Sequence, residues 1–302
     1  MTLKGFLLGL KTRVIDARYG YELGDRFRLL LYAFIRCAPR RLRRRVRRID
    51  QAVRRLENVI AKRTVLSIFG LGYCLLDSES LRIVSPTFEE WMWRLLMPKK
   101  GDVFIDVGAH IGKYTCTAAK MVGEEGLVVA VEPHPANYAI LVRNVENNNF
   151  RNVRTLKIAA YERDCKMRLF VGDVAGQHSL KQNMGIGSIE VSAKKLDSVV
   201  LDELRVGRVD WVKIDVEAAE YEALKGMIET LKRFKPKLII ETFRENRDKV
   251  VQLLENLGYQ LTPIKGSESD QALYLFCRQR MRSQGENVKV AVAHHMRSRL
   301  ES

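Results

Sequence analysis

From residue 101 onward, short and almost wholly apolar runs alternate with longer stretches of helical periodicity, and few folds accept such a chain. Residues 103–107, 127–131, 152–160, 211–214 and 238–240 read as strands. Residues 113–122, 136–147, 219–234 and 248–257 read as helices, the last ending at Gly258. Strands that are apolar on both sides need cover on both faces, and helices between them supply it, so the sheet is expected to be parallel. Residues 259–263 and 272–277 flank a short turn-like stretch, which predicts an antiparallel final pair. Residues 166–171 and 188–194 alternate polar and apolar side chains and predict another. Upstream, residues 73–84 alternate in part around a polar turn at 77–80, and residues 87–96 read as a helix.

The first strand of this region runs into Asp106-Val107-Gly108-Ala109-His110-Ile111-Gly112, which opens a helix. A glycine at 108 allows a tight turn and a ligand's close approach to the backbone. Gly112 lets elements pack closely, and the helix start presents free N–H groups to an anionic group. Glu132 ends the second strand, 24 residues after Gly108, near the ~20 expected of a carboxylate that accepts ribose hydroxyls. This pair fits a nicotinamide dinucleotide and S-adenosylmethionine equally well. The third glycine of the dinucleotide fingerprint is missing, because Ile111 follows His110, and a reversed final strand pair is unusual for a dehydrogenase.

Four ordered blocks then bear a resemblance. They are Phe104 to Thr115; Val131-Glu132-Pro133-His134-Pro135; Gly176-Gln177-His178-Ser179-Leu180; and Val212-Lys213-Ile214-Asp215-Val216-Glu217-Ala218-Ala219-Glu220. From about residue 64 to 278 the chain resembles the FkbM family of methyltransferases. The resemblance implies a Rossmann-like class I methyltransferase fold: a mostly parallel seven-stranded sheet with an antiparallel last strand. It implies S-adenosyl-L-methionine as cofactor, with O-methylation of sugar or natural-product hydroxyls as the usual reaction. Carried onto this chain, Asp106, Gly108, Ala109, His110 and Gly112 are expected around the methionine moiety and Glu132 at the ribose. Ala160 is expected at the adenine, with Asp164 as a partner for its amino group. Ala218 stands where the family usually has glycine, which puts the local loop shape in question.

On the acceptor side, Asp215, Glu217 and Glu241 follow strands and belong at the carboxyl edge of the sheet, where ligands bind in open α/β folds. An alcohol needs a base as the methyl transfers. Asp215 is the first candidate, His178 the second, with Glu217 and Glu241 beside them. Clustered carboxylates could instead hold a divalent metal or simply hydrogen-bond the substrate. No metal is assigned.

Charge divides the chain unevenly. Residues 1–63 carry 18 Lys+Arg against 5 Asp+Glu, a net of +13, while the whole chain is +16. After Pro39, Leu42, Val46, Ile49, Val53, Leu56 and Ile60 form a heptad seam among arginines. The expected divisions are a basic helical extension (1–63), a β-rich and helical approach (64–100), the catalytic domain (101–278) and a tail (279–302). The extension is expected to dock its seam on this chain or a second copy, as in a homodimer, or to meet nucleic acid or an anionic membrane surface. The acceptor is expected to be a small molecule or glycan. No run reaches the ~20 apolar residues of a membrane span, and five scattered cysteines suggest neither a zinc site nor a disulfide framework. A cytoplasmic place, or a peripheral one at the inner membrane surface, is therefore expected. RNA methylation and a non-catalytic scaffold are the competing classes. The sequence lacks the Asn/Asp-Pro-Pro-aromatic motif of base amino methylation after the fourth strand, and has no Pro-Cys nucleophile.

Titration calorimetry of Glu132→Ala with S-adenosylmethionine is expected to show binding weakened by about 1–3 kcal/mol, the scale of a lost charge-assisted hydrogen bond. Equal affinity of variant and wild type would remove Glu132 from the cofactor site.

Overall fold

The computed structural model describes residues 17–37, 47–172, 178–181, 187–267, 269 and 272–279. Leu42, Val46, most of the arginine run, Gly176, Gln177 and the tail beyond Gln279 lie outside the described residues.

Two helices, Leu23–Cys37 and Arg47–Lys62, precede a hairpin of β1 (Val65–Ile68) and β2 (Leu71–Cys74). After the short helices Ser78–Val84 and Met92–Leu95, the main alternation begins. It runs β3 (Val103–Val107), helix Lys113–Val122, β4 (Leu127–Val131), helix Pro135–Asn147 and β5 (Val153–Leu156). Next come β6 (Ala159–Ala160), β7 (Cys165–Phe170), β8 (Ser188–Lys194) and β9 (Trp211–Ile214). Helices Glu220–Lys225 and Ile228–Phe234 lead to β10 (Lys237–Phe243), helix Arg247–Asn256, β11 (Tyr259–Pro263) and β12 (Ala272–Gln279).

Seven strands form one sheet in the order β11-β12-β10-β9-β3-β4-β5. β5, β4, β3, β9 and β10 are mutually parallel, while β12 runs antiparallel to both β10 and β11. This is the expected α/β sheet with its last strand reversed. The period-2 pattern of β3 explains how both faces are covered. Phe104 enters one core with Trp211, Ala118 and Leu141. Val103, Ile105 and Val107 enter the other with Val212, Leu224 and Leu254. β7 and β8 pair antiparallel as expected, in a separate three-stranded sheet with β6.

Four local expectations change. The strand expected over 152–160 is divided, because Ala159–Ala160 leaves β5 to pair with β8. The helix expected over 219–234 breaks near Gly226, where a Cβ would stand 2.0 Å from the Tyr161 carbonyl oxygen. Its second half starts afresh because the Asp197 carboxylate accepts from the N–H groups of Glu229 (3.0 Å) and Thr230 (2.8 Å). Residues 73–84 are not one alternating strand: Asp77 accepts from the Ser80 N–H at 2.8 Å and caps a helix over Ser78–Val84. The helix expected over 87–96 shrinks to Met92–Leu95, with Glu89 in the left-handed region (φ 54°).

The front of the chain is stitched to the rest by buried polar side chains. Asp25 accepts from the Val65 N–H (3.1 Å) and pairs with Arg28 (2.8 Å), while Leu29 and Ala61 join the same core as Phe104. Asn144, fully buried on helix Pro135–Asn147, accepts from the Cys74 N–H (2.7 Å) and donates to the carbonyls of Cys74 (3.2 Å) and Ile111 (2.8 Å). Asn148 brackets Gly72 in the same way. No helix among the described residues is long and apolar enough to cross a membrane.

Asn144→Ala strands one buried N–H and two carbonyls. It is expected to cost about 2 kcal/mol or more, since each orphaned group carries about 1–3 kcal/mol. Urea denaturation measures this.

Candidate active site

The parallel strands end on one edge, and a cavity of about 250 Å³ opens there. Its floor is the β3 turn, its near wall the end of β4, and its far wall the ends of β9 and β10. Residues Glu79, Arg82, Ile83, Phe88 and Glu89, from before the sheet, roof it.

Gly108 has a positive φ of 80°, and a Cβ on it would lie 1.8 Å from the Asp215 carbonyl oxygen. Close passage of the β9 loop therefore demands this glycine, which also lines the cavity. Gly112 is needed because its Cβ would meet Leu141 at 2.7 Å, so the close packing that it permits is between helices. Ala109 and His110 line the cavity, with His110 also at positive φ (51°). Glu132 is buried, and its carboxylate accepts from the N–H groups of His110 and His134, both at 2.9 Å. Burial raises its pKa to about 7, against the pull of those donors. Ala160 lines the cavity, whereas Asp164 does not: it is exposed and accepts from the Lys195 N–H at 2.8 Å.

Asp106 lies just beneath the floor, fully buried, accepting from the Thr115 hydroxyl at 2.6 Å. Its register partner across the β3–β9 ladder is Lys213. The Lys213 ammonium, 2% exposed, sits 3.1 Å from Asp215 Oδ2 and 3.9 Å from Asp106 Oδ1. Burial alone would pull the Lys213 pKa down, but the two carboxylates more than offset it and hold the ammonium charged. Burial likewise pushes Asp215 up, and Lys213 with its other donors brings it below the usual carboxylate range. The Tyr274 hydroxyl lies 2.8 Å from Asp215 Oδ2 and 3.1 Å from Glu89 Oε1, and Tyr114 donates to the same Glu89 carboxylate.

Asp215, Glu217 and Glu241 each bring an oxygen within 4.8 Å of the others. Burial, then the nearby Asp215 charge, raises Glu217 to about 8 and lifts Glu241 well above its ordinary value. Glu217 and Ala218 both have positive φ (52° and 75°). A non-glycine residue there costs about 1–2 kcal/mol. Burial of the Ala218 methyl against Phe243 and Ala272 returns about 0.8 kcal/mol, part of that cost. Glu220 and Asn246 lock the turn: Glu220 accepts from the Ala218 N–H (2.8 Å), and Asn246 donates to the Ala218 carbonyl (3.1 Å) and to Glu220 (2.7 Å).

His178 is not among these carboxylates. Its ring stacks on His134 with centroids 3.9 Å apart, and its Nδ1 accepts from the Gly172 N–H. Burial and the neighbouring His134 lower its pKa to about 4, so it is a neutral imidazole. Sequence reasoning overlooked Lys213, Tyr274, Glu89 and Tyr114. Only Lys213 left a signal, as a lone charge inside a short buried strand that must find an acid partner.

A Rossmann-like α/β sheet with a ribose-type carboxylate at β4 and an acidic cluster at β9 and β10 has the layout of a methyltransferase. Residues 106–261 match the Methyltransferase FkbM domain, more than half of the chain, and the chain belongs to that family. It is 26% identical over 151 residues to "Methyltransferase 1" of Beauveria bassiana, covering 43% of this chain and 60% of that protein. It is 23% identical over 223 residues to methyltransferase sdnD of Sordaria araneosa, covering 63% of this chain and 86% of that one. Among solved structures it is similar to an FkbM methyltransferase of Methylobacillus flagellatus KT. That match has a TM-score of 0.46 and 14% identity, over 90% of this chain and 58% of the other.

S-adenosylmethionine is the methyl donor that goes with this family, and the cavity fits it. Glu132, whose buried carboxylate lines the cavity, would hold a diol there, and Ala160 would present a small apolar wall to a flat base. The buried ring nitrogens of His110 beside them have no hydrogen-bond partner among the described residues.

Replacing Lys213 with methionine leaves Asp106 and Asp215 as uncompensated buried acids. Lys213→Met is expected to destabilise the protein by about 3–5 kcal/mol, the cost of breaking a buried ion pair from one side, read by urea denaturation.

Proposed function

We propose that this methyltransferase acts on oxygen, methylating a hydroxyl of a small-molecule or glycan acceptor such as a sugar, glycolipid or secondary metabolite. One observation carries the reading: the carboxylates of Asp215, Glu217 and Glu241 converge on the cavity beside the Gly108 turn. A neutral hydroxyl is a weak nucleophile and must give up its proton as the new C–O bond forms, so a carboxylate within reach is what oxygen transfer needs.

Bound in this cavity, S-adenosylmethionine supplies an electrophilic methyl and departs as the neutral thioether. The chain's own residues then divide the remaining work. Asp215, first choice for the base on sequence alone, is held ionised by Lys213 and Tyr274. A carboxylate stabilised in this way has little appetite for a proton, and we assign it to orienting the acceptor's hydroxyl. Glu217, raised to about 8, has a proton affinity matched to the task, and we assign it to taking the proton. Glu241 lies beside Asp215 and, lifted well above its ordinary value by burial and the Asp215 charge, stays neutral there. The same three carboxylates are close enough to hold a hard divalent cation, but the Lys213 ammonium already supplies the positive charge at Asp215.

Glu217→Gln is expected to cut turnover roughly 10²-fold, the ordinary scale of general-base catalysis, with S-adenosylmethionine affinity unchanged. Because Glu217 acts only after losing its proton, wild-type turnover should rise with pH through about 8, and the variant should lose that limb. A full-rate Glu217→Gln enzyme, with Asp215→Asn the damaging change, would return the base role to Asp215.

A further inference from the structure

Helix Leu23–Cys37 is apolar on two opposite faces. Leu29, Tyr32 and Ala33 turn inward and are buried. Leu23, Phe27, Leu30 and Leu31 recur at i, i+4, i+7 and i+8, which places them on one stripe. They are 81%, 70%, 43% and 42% exposed. Tyr21, just before the helix, is 61% exposed, and the neighbouring helix Arg47–Lys62 has exposed apolar side chains of its own, Leu56 at 46% and Val59 at 48%. The heptad seam is thereby split: Ile60 is buried, but Leu56 is not. Monomeric proteins scatter exposed apolar side chains singly, and a contiguous stripe marks a surface that meets something apolar.

The charges around the stripe say what that is. Arg26 and Arg28 border it on either side by helical position, although Arg28 is paired with Asp25 and Arg26 donates to the Gly20 carbonyl; Arg55, Lys62 and Arg63 stand exposed on the second helix and just after it. These belong to the segment of 63 residues that carries a net +13. We propose that the exposed face of helix Leu23–Cys37 docks on an anionic phospholipid surface, with the Leu23–Leu31 stripe entering the acyl boundary and the exposed basic residues of the N-terminal segment meeting headgroup phosphates. A second copy of the chain would bring one strongly basic segment of 63 residues against another. Nucleic acid would satisfy the arginines but offers no apolar medium for Leu23 and Phe27. A bilayer with anionic lipid satisfies both sets of side chains. The proposal does not depend on the methyl acceptor and says where the enzyme works rather than what it modifies.

Flotation of the full chain with vesicles of phosphatidylcholine alone, or mixed with phosphatidylserine, tests it. The protein is expected to float with the mixed vesicles only, and less so as salt rises. Phe27→Glu/Leu31→Glu is expected to reduce the floated fraction about tenfold or more. Its melting temperature and S-adenosylmethionine affinity should stay at wild-type values, since both side chains are exposed. Arg54→Glu/Arg55→Glu should also weaken flotation. The proposal is overturned if the wild type does not float with the mixed vesicles, or if Phe27→Glu/Leu31→Glu floats as well as the wild type. A wild-type dimer in light scattering that the same variant breaks would overturn it in favour of a second copy. Salt-sensitive RNA binding without flotation would overturn it in favour of nucleic acid.

Discussion

A single buried ammonium organises the business end of this molecule. Lys213 lies on a central strand with apolar neighbours on both sides, where an unpaired charge would not survive. It is kept by Asp106, its partner across the ladder, and by Asp215, just past the end of its own strand. That triad ties β3 to β9 at the edge where the parallel sheet opens. It also decides protonation around it. Asp215 stays ionised because Lys213 is there, and Glu217 and Glu241, without an ion-pair partner among the described residues, are pushed towards the neutral form by burial and by the Asp215 charge. Neighbouring carboxyl groups thus acquire different chemistry from one lysine.

The second constraint is the tightness of the loops that meet there. The Gly108 turn and the Asp215 backbone touch so closely that only a hydrogen fits between them. The Glu217–Ala218 turn adopts two successive left-handed residues without a glycine, held by Glu220 and Asn246 from beneath. Strain of this kind persists where surrounding bonds over-determine it, and it fixes where the carboxylates sit before any ligand arrives.

Much of the fold was legible because the information is local. Strand-like runs, helical periodicity and the short connection before β12 suffice for the order and the reversed final strand. Glu132 and the Gly108 turn were legible for the same reason, as a strand end and a strand–helix junction. What stayed hidden is what depends on distant chain. The break at Gly226 comes from the Tyr161 carbonyl and the Asp197 carboxylate, neither of them a neighbour in sequence. Glu89, Tyr114 and Tyr274 meet around one carboxylate from three far-apart segments. Asp77 was read as part of a turn between strand halves when its carboxylate in fact starts a helix. Asp164 resembles a ligand contact by position alone; the fold leaves it exposed, outside the cavity lining, with one oxygen accepting from the Lys195 N–H.

The cavity is roofed by residues 79–89, which precede the sheet and contribute nothing to its ladders. Donor-side and roof surfaces are therefore inherited from separate stretches of chain. Substitutions at Arg82, Ile83 or Phe88 can reshape what the enzyme admits without disturbing the strand ends, the Lys213 triad or the turn at Gly108. Such a layout separates the shape of the cavity from the stability of the sheet: one wall can be recut from a stretch of chain on which no strand pairing depends.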